Sequence, residues 1–209
     1  KRSFAVITQV VVDPKDPAFD NPSKPIGVFY SQKDAQKLTE ELGWELVEDA
    51  GRGFRRVVPS PNPLEIVEMK IFHEVLEAGF IAIGGGGGGI PVVRGSNGEL
   101  NGVEAVIDKD RTSALLANEV GIEQLIILTG VDFACLNYKS PQLQPIKNIT
   151  VDKMEYYLKQ GEFMEGSMKP KVEAAIDFVK NGGKKAIIAN LYDLLPATEG
   201  KTGTHISAD

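Results

Sequence analysis

Residues 80–89 read Phe80-Ile81-Ala82-Ile83-Gly84-Gly85-Gly86-Gly87-Gly88-Gly89. A short, apolar, β-branched run of strand length empties directly into six consecutive glycines. Glycine costs backbone entropy inside regular elements, so the run marks a backbone that must bend sharply and come close to something else. Amide N–H groups without flanking side chains can cradle an oxyanion. A flexible surface loop is the alternative, and the position at the end of a buried-looking strand favours the site. The run is not a dinucleotide fingerprint, because Pro91 follows too soon for a helix. It is not a Walker loop either, since no Gly-Lys-Ser/Thr follows it.

Working outward, further runs of the same kind occur at Ala5 to Val12, Gln124 to Leu128 and Lys185 to Ala189. Near-continuous hydrophobicity predicts strands covered on both faces. Helical periodicity predicts helices over Gln32–Leu42, Pro63–Ala78, Asp110–Val120, Val151–Gln160 and Lys171–Asn181. Most of these close at a glycine, the usual helix stop. Strands alternating with helices predict a three-layer α/β/α sandwich around a mainly parallel sheet. Residues 13–61 break the rhythm with Pro14, Pro17, Pro22 and Pro25, then a short helix capped by Ser31 and two strand-like runs, Trp44–Glu48 and Phe54–Val58. They are expected to form a small protruding subdomain inserted into a single 1–209 domain.

With 209 residues, 42% hydrophobic and 25% charged, the chain can build a full-sized core. Its formal net charge of -6 argues against nucleic acid as the main ligand. No apolar run approaches the length that spans a bilayer. The one cysteine, Cys135, cannot form an internal disulfide, and a reducing, cytoplasmic setting is expected. That thiol follows a polar loop by three residues; it reads as a small buried hydrophobe, or as a group near a pocket that electrophiles reach. His73 is expected to be structural or on the surface, and His205 has no evident partner. The cluster Arg52, Arg55 and Arg56 reads either as anion steering or as a salt-bridged turn. Of Tyr156 and Tyr157, one is expected to pack and one to be exposed.

Three more stretches carry chemistry. Asp108-Lys109-Asp110 stands where an apolar strand turns into a helix, and two carboxylates around a lysine can aim its ammonium at a transferring phosphoryl group. An N-capping aspartate with a solvated neighbour explains the same string. Gly166-Ser-Met168-Lys169-Pro170-Lys171 opens a helix with a lysine near the positive end of its dipole, a placement that gains nothing unless an anion binds there. Thr129-Gly130-Val131-Asp132 is again a strand end, the place where ligands collect in open α/β sheets.

Read in order, Lys24-Pro-Ile-Gly, Glu48-Asp-Ala-Gly-Arg-Gly-Phe-Arg-Arg-Val-Val-Pro-Ser-Pro, Gly86-Gly-Gly-Gly-Ile-Pro-Val, Gly102-Val-Glu-Ala-Val-Ile-Asp-Lys-Asp, Gly166-Ser-Met-Lys-Pro-Lys-Val-Glu-Ala-Ala and Gly200-Lys-Thr-Gly-Thr closely resemble carbamate kinase, a member of the amino-acid kinase superfamily. The resemblance runs over essentially the whole chain. It implies an α/β/α sandwich with a protruding subdomain, a homodimer, and reversible Mg²⁺-dependent phosphoryl transfer between ATP and carbamate, giving ADP and carbamoyl phosphate. In arginine catabolism such an enzyme usually runs toward ATP. Carried over residue by residue, Lys109 and Lys171 neutralise the migrating phosphoryl group, Asp110 holds them, and Lys24 closes over the site. Gly86, Gly87, Gly88 and Gly89 lie beside the carbamate end. Lys109, Thr129, Val131, Asp132, Met168 and Lys171 belong to the nucleotide side, and no side chain is assigned as a metal ligand.

Two departures stand out. The family's amino-terminal strand and Gly-Gly-Asn loop have no counterpart, so the sequence is expected to be the larger, carboxy-terminal part of such an enzyme. Gly84-Gly85 lengthens the family's glycine run, and Gly130 stands where Asp or Asn is common. Another amino-acid kinase acting on an acyl phosphate or carboxylate, and a catalytically silent nucleotide-binding protein of the same fold, are the alternatives.

Overall fold

The computed structural model describes residues 2–49, 51–138 and 140–209. In chain order it contains β1 (Ser3–Ala5), β2 (Gln9–Val12), β3 (Lys24–Tyr30), α1 (Gln32–Leu42), β4 (Leu46–Glu48), β5 (Phe54–Val58), β6 (Pro63–Ile66) and α2 (Met69–Glu77). Then follow β7 (Ile81–Ile83), β8 (Ile90–Arg94), β9 (Leu100–Gly102), α3 (Lys109–Glu119), β10 (Gln124–Thr129), β11 (Cys135–Leu136), β12 (Gln144–Pro145) and β13 (Asn148–Thr150). The chain finishes with α4 (Val151–Lys159), α5 (Met168–Lys180), β14 (Lys185–Asn190), α6 (Leu194–Thr198) and β15 (Thr204–Ser207).

The α/β class expected from the sequence is the one observed. One sheet runs β10-β14-β15-β13 and another β6-β2-β8-β9. The pairs β10–β14, β2–β8, β1–β7 and β13–β15 are parallel, while β6, β9 and the β14–β15 contact are antiparallel. Strand β14 shows why the apolar run was continuous. Ala186 and Ile188 enter a core shared with α3, α4 and α5, whereas Ile187 and Ala189 meet Ala197 of α6 on the other face. Helix α3 joins two cores, with Ala114 and Ala117 in the first and Leu115 and Leu116 against Val10, Ile66, Phe72 and Ile107 in the second. Strands β3, β5 and β4 form a separate antiparallel sheet that α1 packs against. The oxygen of Ser31 caps α1 by accepting from the Asp34 N–H, and Gly43 ends it in the left-handed region with φ 66°.

Four expectations are corrected. No strand runs into Asp108, because β9 ends at Gly102 and the chain reaches α3 as a loop. The run Ala5–Val12 is two strands, because Thr8 kinks the chain. Its hydroxyl donates to the Val6 carbonyl (3.0 Å) and accepts from the Gly85 N–H (2.9 Å), and its own carbonyl accepts from the Ile90 N–H (2.8 Å). The helix expected over Pro63–Ala78 begins only at Met69. Its first residues are the edge strand β6, where a proline's missing N–H costs nothing and Ile66 pairs with Val10. Helix α5 starts at Met168, three residues earlier than expected, with Pro170 in its first turn. The hairpin β8–β9, strand β3 and the last strand β15 were not anticipated.

The larger core can be tested at Phe178, which is fully buried and lies against Gly183. Phe178→Ala is expected to lower the unfolding free energy by about 3–5 kcal/mol, because the cavity cannot fully collapse. A urea titration followed by tryptophan fluorescence and circular dichroism reads this; an unchanged midpoint would refute the packing.

Candidate active site

Helix α3 begins where three constraints meet. Asp108 is its N-cap, with Oδ1 accepting from the Asp110 N–H at 2.9 Å. The other carboxylate oxygen of Asp108 takes the ammonium of Lys24, which β3 delivers from 84 residues away, at 2.5 Å. One residue on, Lys109 leads the helix with a half-exposed side chain, and its Nζ lies 3.3 Å from Asp110 Oδ1. Asp110 is buried, and its Oδ2 also accepts from Nζ of Lys171, on the first turn of α5, at 2.8 Å. The two expected lysines therefore converge on one carboxylate. Three ammonium groups face two carboxylates here, so one positive charge is left over for an anion.

The first turn of α3 also fixes the glycine run. The Thr112 hydroxyl donates to the Gly88 carbonyl at 2.8 Å. Gly88 has φ +131°, and a Cβ there would stand 2.0 Å from the Ile107 carbonyl oxygen, so no side chain fits. Gly86 and Gly87 are exposed, and nothing lies within 4 Å of where their Cβ atoms would be. The run thus splits into anchored ends and a bare, open centre. Neighbouring Arg111 donates to Asn62 Oδ1 (2.8 Å) and to Glu173 Oε2 (2.6 Å), tying α3 to α5 and to the β5–β6 connection.

At the ends of β10 and β14, Thr129, Val131, Asp132 and Met168 line one cleft of about 560 Å³. This size suits a nucleoside-sized ligand. Asn190 Nδ2 donates to Asp132 Oδ1 at 2.8 Å, and the Leu191 N–H to the Thr129 carbonyl at 2.9 Å, so the two strand ends are laced together. Phe133, Tyr138, Leu143, Phe163 and Met164 supply apolar walls that the sequence did not single out. Cys135 lines the same cleft, partly buried, with burial pushing its thiol pKa up. Met168 and Lys171 stand one turn apart on α5, so that helix joins the cleft to the lysine cluster.

The remaining candidates lie elsewhere. Arg52 and Arg55 stack over Phe29, with centroid distances of 4.7 and 5.2 Å, and both bond Asp49; Arg56 covers Trp44. This is the salt-bridged turn. His73 is exposed on α2, while Tyr156 is exposed and Tyr157 packs against the larger core. Among the described residues, no group of three or more His, Cys, Asp or Glu could hold a metal ion, and no helix is long and apolar enough to cross a membrane.

Comparison with known proteins adds to this geometry. The model of the amino acid kinase family matches residues 22–190. The carbamate kinase of Pyrococcus horikoshii is 52% identical over 207 residues, covering 99% of this chain and 66% of that protein. The chain thus spans about two thirds of the length of the curated relatives it matches. Among solved structures, carbamate kinase from Giardia lamblia bound to AMP-PNP superposes with a TM-score of 0.87 at 45% identity, over 100% of this chain and 66% of that one. The same enzyme thiocarbamoylated by disulfiram on a cysteine gives a TM-score of 0.84 at 43% identity, over 100% and 65%.

Burial raises the Asp108 pKa, but the hydrogen bond and charge of Lys24 outweigh it, and the group sits below its ordinary value of 3.8. A carboxyl depressed in the folded state stabilises above its unfolded pKa, and that contribution is lost as pH falls through the lower folded value. Asp108→Asn is expected to cost on the order of 1–3 kcal/mol at pH 7. The gap to the unsubstituted protein should narrow in thermal melts below about pH 4. A gap that persists unchanged at pH 3 would contradict the ion pair.

Proposed function

We infer that this chain, which belongs to the amino acid kinase family and within it to the carbamate kinases, carries the larger part of an enzyme that moves a phosphoryl group between ATP and carbamate. The observation that carries the reading is the convergence of Lys109 and Lys171 on Asp110, between the bare glycines and the β10–β14 cleft. The nucleotide is proposed to occupy that cleft, its base against Tyr138, Phe133 and Met164 and its phosphates directed toward the lysines. Carbamate or carbamoyl phosphate is proposed to lie at Gly86–Gly89, where the Gly88 N–H already donates to the Gly85 carbonyl and the exposed backbone of Gly86 and Gly87 favours an oxyanion.

In the direction that makes ATP, a terminal oxygen of ADP attacks the phosphorus of carbamoyl phosphate. The bond from phosphorus to the carbamate oxygen breaks, and carbamate leaves with its electron pair. Phosphoryl transfer asks little covalent chemistry of the protein; positioning and charge supply the catalysis. Lys109 and Lys171 are assigned to the charge on the equatorial oxygens, with Asp110 setting their spacing. Lys24, paired to Asp108, is proposed to bring a lobe formed by residues 13–61 down over the reactants and exclude water. Magnesium is proposed to arrive with the nucleotide, held by its phosphates, a common arrangement for an ion that sheds water reluctantly. A homodimer, a cytoplasmic setting and a role in arginine catabolism belong to the same reading.

A coupled assay that follows ATP formed from ADP and carbamoyl phosphate, on the full-length protein, tests the activity. Lys109→Ala is expected to reduce kcat by about 10²–10³-fold with little change in thermal stability, since the side chain is half exposed. Turnover equal to that of the unsubstituted enzyme would remove Lys109 from its assigned role. Cys135 is the chain's one thiol and lines the proposed nucleotide cleft. Electrophile labelling read by mass spectrometry should slow when ADP is added, and labelling indifferent to ADP would separate the thiol from the nucleotide.

A further inference from the structure

Two neighbouring hydroxyls on α3 are used differently. Ser113 donates to the Lys109 carbonyl, four residues back, at 2.7 Å, a common bond for a serine or threonine inside a helix. Thr112 is only 1% exposed, and its hydroxyl donates instead to the Gly88 carbonyl at 2.8 Å, reaching 24 positions back along the chain. Its methyl group faces the same loop, since a Cβ on Gly85 would stand 3.8 Å from Thr112 Cγ2 and meet nothing nearer. Between those contacts the glycines form a closed turn, in which the Gly88 N–H donates to the Gly85 carbonyl at 2.8 Å. Thr8 grips the flanks: its hydroxyl accepts from the Gly85 N–H and its carbonyl from the Ile90 N–H.

This arrangement sorts the amides of the loop. The N–H groups of Gly85, Gly88 and Ile90 are already taken. Those of Gly86 and Gly87, the two central residues of the turn, are exposed and find no partner among the described residues. They are the groups an oxyanion can reach, and their aim depends on where Gly85 and Gly88 are held. Glycine gives up more conformational freedom on ordering than any other residue, so an unpinned run would bind an anion at a high entropic cost. Donors fixed in advance avoid that cost. The Thr112 N–H donates to the Asp108 carbonyl at 3.1 Å, so this hydroxyl rides on the turn that carries Lys109 and Asp110. One turn of α3 therefore holds both the loop and the ammonium groups.

We propose that Thr112 is a positioning residue for the carbamoyl end of the reaction: its hydroxyl holds the Gly88 carbonyl so that the Gly86 and Gly87 amides stay aimed at the oxyanion. The role rests on the reading of the chain as a carbamate kinase with its acyl substrate at the glycine run. Substitution separates the hydroxyl from the volume of the side chain, because Thr112→Ser keeps the hydroxyl while Thr112→Val and Thr112→Ala lose it. In the full-length protein, KM for carbamoyl phosphate should rise about 10–100-fold in the valine and alanine variants, with KM for ADP unmoved. Thr112→Ser should stay close to the unsubstituted enzyme. A purely structural role would shift both KM values together with the melting temperature, in order of volume lost. Binding is read apart from turnover with phosphonoacetamide, a methylene analogue of carbamoyl phosphate, added to ¹⁵N-glycine-labelled protein. The Gly86 and Gly87 amides should move saturably in ¹H–¹⁵N spectra, and the half-saturating concentration should follow the hydroxyl in the same way. Saturable movement without any ATP formation would remove the carbamate kinase reading and leave Thr112 its part in oxyanion binding. Amides that do not move in the unsubstituted protein, or KM and half-saturation values indifferent to the hydroxyl, overturn the proposal.

Discussion

One buried carboxylate, Asp110, holds two ammonium groups, that of its neighbour Lys109 and that of Lys171, which lies 61 residues further along the chain on α5. Leaving a carboxylate in a largely dry place is costly unless it stays paired, and losing its buried partner Lys171, unlike the half-exposed Lys109, is of the kind that typically costs about 3–5 kcal/mol. The pairing therefore constrains more than itself. It fixes how α3 and α5 approach each other at their first turns, and this sets the distance between the glycine bend and the cleft at the ends of β10 and β14. The packing of Ala114 and Ala117 against Val172, Ala175 and Val179 supports the same approach from the apolar side. Charge and core thus specify one geometry.

A second consequence follows from where the positive ends of these helices lie. Asp108 and Asp110 stand at the start of α3, where carboxylates favour the dipole, but both are already bound to lysines. What reaches solvent is the ammonium of Lys109 together with the open backbone of Gly86 and Gly87. Such a surface suits an anion with negative charge spread over several oxygens, the character of a phosphoryl group in transfer.

The sequence made the layered α/β architecture legible because its central strands are apolar on both faces and its helices end at glycine. Strand β14 and helix α1 are the clearest cases. Where tertiary pairing overrode local pattern, the reading failed. Pro63 to Ile66 carries helical periodicity, yet β2 offers it an edge to pair with, and Thr8 divides a run that looks like one strand. Lys109, Lys171 and Asp110 could be found from helix starts and from the resemblance to known kinases. The partner of Lys24 could not, since nothing local joins residues 24 and 108. The apolar walls of the cleft were hidden for a similar reason, because Phe133, Tyr138 and Phe163 look like ordinary core residues until the fold brings them to one opening.

The first turn of α3 places four consecutive side chains on four different duties. Asp108 reaches back to Lys24, Lys109 projects to solvent, Asp110 takes Lys171, and Arg111 bridges Asn62 and Glu173. Successive residues of a helix are rotated by about 100°, so each duty belongs to one compass bearing around the axis. Slipping the chain by a single position would turn every bearing at once, detaching β3, the facing helix and the glycine bend together. This turn therefore behaves as a keyed shaft: it tolerates exchange of a side chain far better than insertion or deletion of one residue upstream of it.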